Sequence, residues 1–297
     1  MKKTIALVLV LVLALALFAA CAKNDTPAPS DSAAPADTAE PADTAEPADT
    51  AEPAEDGEVK TIKVGASPSP HAEILEVAKP LLEEKGYKLE IIEFQDYVMP
   101  NTALENGELD ANYFQHIPYL NNFNAEQGTH LVAAFGMHLE PMLIFGGKSN
   151  DLTAIKDGAT IAVPNDPTNE ARALRLLEAN GVITLKEGAA ETATVLDIAE
   201  NPHNVKINEV EAAQVPRFQP DVDFIVVNVN YALSAGLVAA DALAAEPTEG
   251  NENVNIVAVR EGDEESEFTL ALKEAMQSDA VRTYIEETYA GAVIAAF

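Results

Sequence analysis

Residues 160–177, TIAVPNDPTNEARALRLL, combine a strand, a polar turn and the start of an amphipathic helix. TIAVP has the apolar composition of a buried strand, and NDPTN has that of a turn that begins a helix. Arg172 falls in the first turns of this helix, near backbone N–H groups that have no intrahelical partner. Such a group of donors would bind a small carboxylate. The alternative is an ordinary strand–loop–helix in which Arg172 makes a surface ion pair of little value.

Strand and helix patterns alternate along the rest of the chain. We predict strands at TIKVGA (61–66), KLEIIEF (88–94), LVAAFG (131–136), MLIFGG (142–147), TIAVP (160–164), VKINEVE (205–211), FIVVN (224–228) and NIVAVR (255–260). We predict helices at 71–85, at about 169–180 and at 265–289, the last as one long helix or a pair. Pro80 should kink or divide the first helix, and Gly181 should end the second. This alternation favours an α/β fold with mostly parallel sheets covered by helices.

The predicted strands end in polar or aromatic residues. Ligand sites in such folds lie at the carboxyl ends of the strands. Those ends carry Ser67-Pro68, Gln95-Asp96-Tyr97, Pro164-Asn165-Asp166 and Asn228. The sequence has no Gly-x-Ser-x-Gly elbow, Gly-rich phosphate loop or dinucleotide-binding fingerprint. We therefore expect a binding protein without a cofactor rather than an enzyme.

The first twenty residues resemble a secretory signal peptide. A basic start is followed by an apolar run from Thr4 to Phe18, too short to span a bilayer comfortably, and then by small residues. Cys21 is the only cysteine, so no intrachain disulfide can form. It could be a buried free thiol, but LFAAC resembles a bacterial lipobox, with Phe18 where that pattern usually has leucine. The resemblance implies that Cys21 is lipidated and anchors the protein to the cell membrane, on its extracytoplasmic face.

Residues 21–58 read as an acidic linker rich in alanine and proline. Three copies of Ala-Asp-Thr-Ala-Glu-Pro fill residues 36–53, and they offer almost nothing to bury. Like charge and proline favour an extended, disordered segment that gives a folded domain reach. The formal net charge of the chain is −31, which argues against nucleic acid as a partner. About 240 residues remain, enough for two small α/β lobes.

Seven segments in order carry a resemblance to a known family. They are GASPSPHAEIL (65–75), DYVMPNTAL (96–104), GELDANYFQHIPYL (107–120), HLEPM (138–142), VPNDPTNEARAL (163–174), NPHNVKINEVEAAQVPR (201–217) and NVNYAL (228–233). This set resembles the NlpA lipoprotein family, the substrate-binding lipoproteins of the bacterial methionine ABC importer. The resemblance implies a two-lobed periplasmic-binding-protein fold with a hinge, in which residues 59–146 and 252–297 form lobe I and residues 147–251 form lobe II. It also implies a monomer that binds methionine or a close analogue and works with an ABC permease and its ATPase.

The family resemblance implies roles for an arginine, an amide and three aromatic rings. Arg172 would hold the ligand carboxylate with its planar fork, and Asn228 would bond the amino group or the carboxylate. Tyr97, Tyr113 and Phe114 would line a pocket for a thioether side chain. Alternatively, Asn228 is only a helix N-cap and the aromatic rings belong to the core. Tyr113 and Phe114 would point to opposite faces if their segment is extended.

The family resemblance also makes two histidines and a carboxylate candidate ligand-binding residues. His116 and His138 would donate to the ligand or support the aromatic wall, unless they are structural. Glu140 would bind the ammonium group or pair with the arginine. Asn165 and Asp166 would orient that arginine from the turn.

Several positions depart from the family pattern and leave the ligand open. Ala171, Val229 and MLIFGGK (142–148) differ from the residues common in relatives, so D-methionine or a methionine dipeptide remains an alternative to L-methionine. A metal receptor is a less favoured alternative, because His71, His116, His138 and Glu140 could in principle bind a cation. A structural or adhesive surface protein with a vestigial cleft is a further alternative. We expect His71, His130 and His203 to be structural.

Overall fold

The structure is a computed structural model that describes residues 59–297, so the predicted signal peptide, Cys21 and the linker lie outside the described residues. Its strands are β1 (Lys60–Ala66), β2 (Tyr87–Glu93), β3 (Ala111–His116), β4 (Leu131–Leu139), β5 (Leu143–Gly146), β6 (Thr160–Pro164), β7 (Thr184–Leu185), β8 (Ile198–Glu200), β9 (Lys206–Val210), β10 (Phe224–Val227), β11 (Ala244–Ala245), β12 (Val254–Arg260) and β13 (Ile294–Ala295). Its α-helices are α1 (Glu73–Glu83), α2 (Met99–Glu105), α3 (Ile117–Gln127), α4 (Pro167–Ala179), α5 (Val229–Ser234), α6 (Glu267–Met276) and α7 (Asp279–Tyr289). Short helical turns cover Pro68–Ala72, Val195–Asp197, Ala212–Asp221 and Ala239–Asp241.

Two mixed sheets form the framework of the fold. The first has the order β13-β4-β12-β3-β1-β2 and the second β11-β5-β10-β6-β9, while β7 and β8 pair separately. In the first sheet β1 runs parallel to β2 and β3, and β12 runs antiparallel to β3 and β4. In the second, β6 runs parallel to β9 and β10, and β5 runs antiparallel to β10. The prediction of mostly parallel sheets was therefore wrong, because β5 and β12 each enter their sheet from the other sheet and not through a helical crossover.

The chain passes between the two sheets twice, and these passages separate two lobes. It crosses between β4 and β5 at residues 140–142, and returns between β11 and β12 at residues 246–253. Strand β5, which we had placed in lobe I, pairs with β10 and β11 of the second sheet. The second sheet therefore starts before the predicted boundary at residue 146.

All eight predicted strands are present, with ends shifted by a few residues. Helix α1 continues through Pro80 without dividing, and the segment 265–289 is a pair of helices, α6 and α7. Strand β3 was not predicted. All six of its residues are buried, so its sequence ANYFQH lacks the apolar–polar alternation that marks a half-buried strand.

Apolar cores fix the helices against the sheets. Helices α6 and α7 both pack on α1 beside the first sheet. Helix α4 follows β6 directly, and its Leu174 and Leu177 are fully buried with Ile161 and Val163 of that strand. This packing sets the position of the first turns of α4, where Arg172 lies. Within residues 59–297, no helix is both long enough and apolar enough to cross a membrane.

Candidate functional site

A cavity of about 310 Å³ lies between the lobes. Tyr97, Phe114, Gln115, His116, Tyr119 and Asn255 line it from the first lobe; Asn169, Arg172, Asn228 and Asn230 line it from the second, and Glu140 from the first passage. The lining combines one cation, one carboxyl group, several amides and three benzenoid rings, which suits a small molecule with both charged and apolar parts.

The local structure around Arg172 agrees with the sequence prediction. Asp166 is the N-cap of α4: its carboxylate accepts from the Asn169 backbone N–H at 3.0 Å, and Pro167 occupies the first helical position. Both features are typical of helix starts. Arg172 follows in the second turn, with 7% of its surface exposed.

Arg172 forms a buried ion pair with Glu246. Its Nε donates to Glu246 Oε1 at 3.2 Å and its Nη2 donates to Glu246 Oε2 at 2.6 Å. Nη2 also donates to the backbone carbonyl of Glu140 at 3.1 Å, and Nη1 donates to Asn169 Oδ1 at 3.2 Å. Glu246 accepts from the Met142 backbone N–H as well, at 3.1 Å. The surface ion pair considered above is thus excluded, and the carboxylate partner of Arg172 is Glu246 rather than Glu140.

Asn169 connects three other polar side chains. Its Oδ1 accepts from Asn228 Nδ2 at 2.8 Å, from Arg172 Nη1 and from His116 Nε2 at 3.3 Å. His116 Nδ1 accepts from the Tyr119 backbone N–H at 3.1 Å, so the imidazole is neutral with its proton on Nε2. Burial and the nearby Arg172 charge lower the pKa of His116 to about 3, in agreement with this assignment. Asn228 Oδ1 is buried and has no hydrogen-bond partner among residues 59–297.

Glu140 is a buried carboxyl group at the edge of the cavity. Its Oε1 accepts from His138 Nε2 at 2.8 Å, and its Oε2 accepts from the Asn230 backbone N–H at 2.9 Å. Burial raises the pKa of Glu140 and lowers the pKa of His138 to about 3. Within the described part of the chain, neither lysine nor arginine donates to this carboxyl group. A cation in the cavity would therefore be the partner that Glu140 lacks.

Two histidines lie behind Glu140, outside the cavity lining. His138 Nδ1 accepts from the Tyr113 hydroxyl, and His71 Nε2 donates to Asn255 Oδ1 at 2.9 Å. Burial lowers the pKa of His71 to about 4, so both imidazoles are neutral at pH 7. The ligand atoms of His71, His138 and Glu140 lie within 4.8 Å of one another. This group could hold a metal ion, but both Nε2 atoms and both oxygens of Glu140 already make hydrogen bonds, whereas His71 Nδ1 has no partner within residues 59–297. His116 is bonded to Asn169 instead.

Three aromatic rings form one wall of the cavity. Tyr97, Phe114 and Tyr119 have ring centroids 5.7–6.0 Å apart. The Tyr97 hydroxyl donates to Asn230 Oδ1 at 2.6 Å, and the Tyr119 hydroxyl donates to the Tyr97 carbonyl at 2.9 Å. These bonds hold the rings in place, and the bond from Tyr97 to Asn230 also joins the two lobes.

Six of the predicted site residues line the cavity: Arg172, Asn228, Tyr97, Phe114, His116 and Glu140. Tyr113 and His138 lie behind it in the core, and Asn165 is exposed and does not line it. Five lining residues were not predicted: Gln115, Tyr119, Asn169, Asn230 and Asn255. Asn169 could have been found from its spacing, since it precedes Arg172 by three residues and shares its helix face.

Two α/β lobes joined by two passages, with a polar and aromatic cavity between them, define the class of two-lobed substrate-binding proteins. The chain belongs to the NlpA lipoprotein family, whose model matches residues 62–297. Both the expected family and the two-lobed periplasmic-binding-protein fold are confirmed. The family consists of binding lipoproteins, so the chain is not an enzyme.

Relatives and solved structures agree on this assignment. The chain is 42% identical over 241 residues to the methionine-binding lipoprotein MetQ of Bacillus subtilis (strain 168), covering 79% of this chain and 88% of the relative. It is 39% identical over 237 residues to the D-methionine-binding lipoprotein MetQ of Escherichia coli (strain K12), covering 78% and 87%. A solved nutrient binding protein from Burkholderia cenocepacia bound to methionine is similar with a TM-score of 0.76 at 44% identity, covering 80% of this chain and 100% of that chain.

Proposed function

We propose that this chain is a substrate-binding lipoprotein that captures methionine, most simply L-methionine, outside the membrane and delivers it to an ABC importer. The names of its relatives support the ligand class. The observation that carries the proposal is the arrangement of the cavity. A buried arginine lies at one side, and a carboxyl group without its own cation, a free amide oxygen and an aromatic wall complete it.

Arg172 and two amides supply donors for the ligand carboxylate. A guanidinium has five N–H donors, and four of those of Arg172 are used by Glu246, Glu140 and Asn169, which leaves one on Nη1. The amide oxygens of Asn230 and Asn255 accept from Tyr97 and His71, so their Nδ2 groups remain for an anion. We therefore propose a carboxylate site of one guanidinium N–H and neighbouring amides. The two-pronged clamp expected from the sequence would require Glu246 to leave.

Acceptors for the ligand ammonium come from Glu140 and Asn228. Glu140 would gain the cation that its carboxyl group lacks, and Asn228 Oδ1 would gain its missing donor. Each pairing removes the cost of a buried polar group without a partner. These two acceptors and the arginine together recognise the two charged groups of a free α-amino acid.

The aromatic wall would hold the side chain of the ligand. Tyr97, Phe114 and Tyr119 present ring faces and edges that suit a flexible thioether, because sulfur makes favourable contacts with aromatic rings. The wall belongs to lobe I and Arg172 to lobe II, so a ligand that touches both would favour the closed arrangement of the lobes.

Anchoring and partners are part of the same proposal. Lipidation of Cys21 would attach the monomeric protein to the extracytoplasmic face of the cell membrane, near an ABC permease with its ATPase. The LFAAC motif and the lipoprotein names of the relatives support this arrangement.

Calorimetric titration with L-methionine tests the ligand. The chain from residue 21, with Cys21→Ser to prevent lipidation, is unfolded and refolded to remove carried-over ligand, and its native state is checked by circular dichroism. Tight one-to-one binding is expected. No heat from a natively refolded protein would contradict the proposal for L-methionine, and D-methionine, a methionine dipeptide and zinc would then be titrated in turn.

A further inference from the structure

The orientation of one side-chain amide decides what the cavity presents at Asn228. The oxygen and nitrogen of an amide have nearly the same shape, but the oxygen accepts hydrogen bonds and the nitrogen donates them. Asn169 points its Oδ1 toward Asn228, Arg172 and His116, all of which donate to it. If this amide were reversed, its NH₂ group would face three donors.

Asp166 holds the amide of Asn169 in the observed orientation. Asn169 Nδ2 donates to Asp166 Oδ1 at 2.9 Å and to Oδ2 at 3.1 Å. An ionised carboxylate has only acceptors, so it can bind the nitrogen end of the amide but not the oxygen end. Oδ1 of Asp166 also accepts from the Asn169 backbone N–H, which fixes the carboxylate itself.

The orientation of the Asn169 amide in turn determines the orientation of the Asn228 amide. Because Asn169 Oδ1 accepts from Asn228 Nδ2 at 2.8 Å, the other end of the Asn228 amide, Oδ1, is left without a protein partner in the described structure. Asn228 is 8% exposed and lines the cavity. A buried acceptor of this kind favours a ligand that brings a donor.

We propose that Asp166 is a positioning residue for ligand selection: through Asn169 it turns the Asn228 amide so that an oxygen, and not an NH₂ group, meets the ligand. The inference rests on the proposed function, in which that donor is the ammonium of an α-amino acid. Asp166 does not line the cavity, so its effect on selection is indirect.

The N-cap role of Asp166 can be separated from its role in orientation. Asparagine caps helices about as well as aspartate, so Asp166→Asn keeps the start of α4. Its amide can donate as well as accept, and therefore no longer forbids the reversed orientation of Asn169. Asp166→Ser also keeps a capping oxygen but offers Asn169 Nδ2 only one acceptor, and it serves as a second variant. Ser278→Ala is the matched control, because Ser278 caps α7 and lies outside the cavity lining.

The test compares two ligands in the full mature chain. L-methionine and 4-(methylthio)butanoate differ only in the amino group, so the ratio of their dissociation constants reports how the site recognises that group. We expect the unmodified chain to prefer methionine by at least about a hundredfold. Asp166→Asn should lower this ratio about tenfold, the loss expected when one hydrogen bond is lost. Asp166→Ser should lower it as well, because a hydroxyl can also donate, and Ser278→Ala should leave it unchanged although it destabilises α7.

The outcomes distinguish the two proposals. An unchanged ratio in both Asp166 variants, with methionine still bound tightly by the unmodified chain, would overturn the positioning role and leave the proposed function intact. Equal weakening of both ligands would also overturn it, because that is the result of a purely structural role. If the unmodified chain binds neither ligand, both proposals are wrong.

Discussion

Replacing Arg172 by alanine removes the partner of two carboxylates at once. One is Glu246, whose side chain is only 15% exposed and receives two hydrogen bonds from the guanidinium. The other is the proposed ligand carboxylate. Breaking a buried ion pair from one side typically costs about 3–5 kcal/mol, because the remaining charge is left uncompensated. Arg172→Ala should therefore lower the free energy of unfolding even without ligand.

A double variant separates the effect on stability from the effect on binding. Arg172→Ala with Glu246→Gln removes the uncompensated charge, so most of the lost unfolding free energy should return. The ligand carboxylate still lacks its cation, and truncating one partner of such a pair costs about 2–5 kcal/mol in binding. The dissociation constant should therefore be larger by a factor of roughly 30 to 5,000 in both the single and the double variant.

Urea denaturation without ligand gives the stability of each protein, and calorimetric titration with methionine gives its affinity. Glu246→Gln alone is the control for loss of the carboxylate. If the double variant regains affinity together with stability, Arg172 acts only as a structural residue and our reasoning about the carboxylate is refuted. If the single variant is as stable as the parent protein, the buried pair with Glu246 contributes nothing.

Three further predictions concern the aromatic wall and two buried carboxyl groups. Phe114→Ala should weaken methionine binding clearly less than Arg172→Ala, because it removes apolar contact but leaves no charge without a partner; equal losses in titration would contradict this. Burial, with a contribution from Glu209, raises the pKa of Glu170 to about 7. From about pH 4.5 to 7 the folded state thus holds a proton that the unfolded state has lost, so stability should fall as pH rises through this window. Glu170→Gln should flatten that slope in denaturation curves, and parallel slopes would exclude Glu170 as its source. Because burial also raises the pKa of Glu140, protonation of this carboxyl group competes with an arriving ammonium, so affinity should fall as the pH falls toward that pKa. Titrations at a series of pH values would measure this dependence, and Glu140→Gln should abolish it.

The strand and helix around Arg172 were predictable because their signals are local. TIAVP is a short apolar run, Asp166 and Pro167 mark a helix start, and Gly181 at a φ of 71° follows its end. Strand β3 could not be predicted from local signals, because its buried Asn112 and Gln115 are residue types typical of the surface. In the structure these amides bond to each other and to Asn101, a partner in α2 that no local pattern indicates.

Partners distant in sequence account for the differences between the predicted and the observed site. Glu246 lies 74 residues beyond Arg172 in a stretch rich in alanine and glutamate, where nothing distinguishes it from its neighbours. The alternation of β3 required Tyr113 and Phe114 to face opposite ways, but only the position of the second lobe decides that Phe114 faces the cavity and Tyr113 the core.

The described part of the chain begins at the end of β1 that is remote from the cavity. Ala66 at the other end of this strand lies beside Tyr113, close to the cavity-lining residues of β3, whereas Lys60 is some 20 Å away along the strand. A force applied to the amino end of the domain would therefore act on lobe I at the end of β1 that is remote from the cavity. Residues 22–58 could reach about 120 Å if fully extended. If Cys21 is lipidated as proposed, the tether would therefore join the domain at the end of β1 that is remote from the cavity-lining residues of β3.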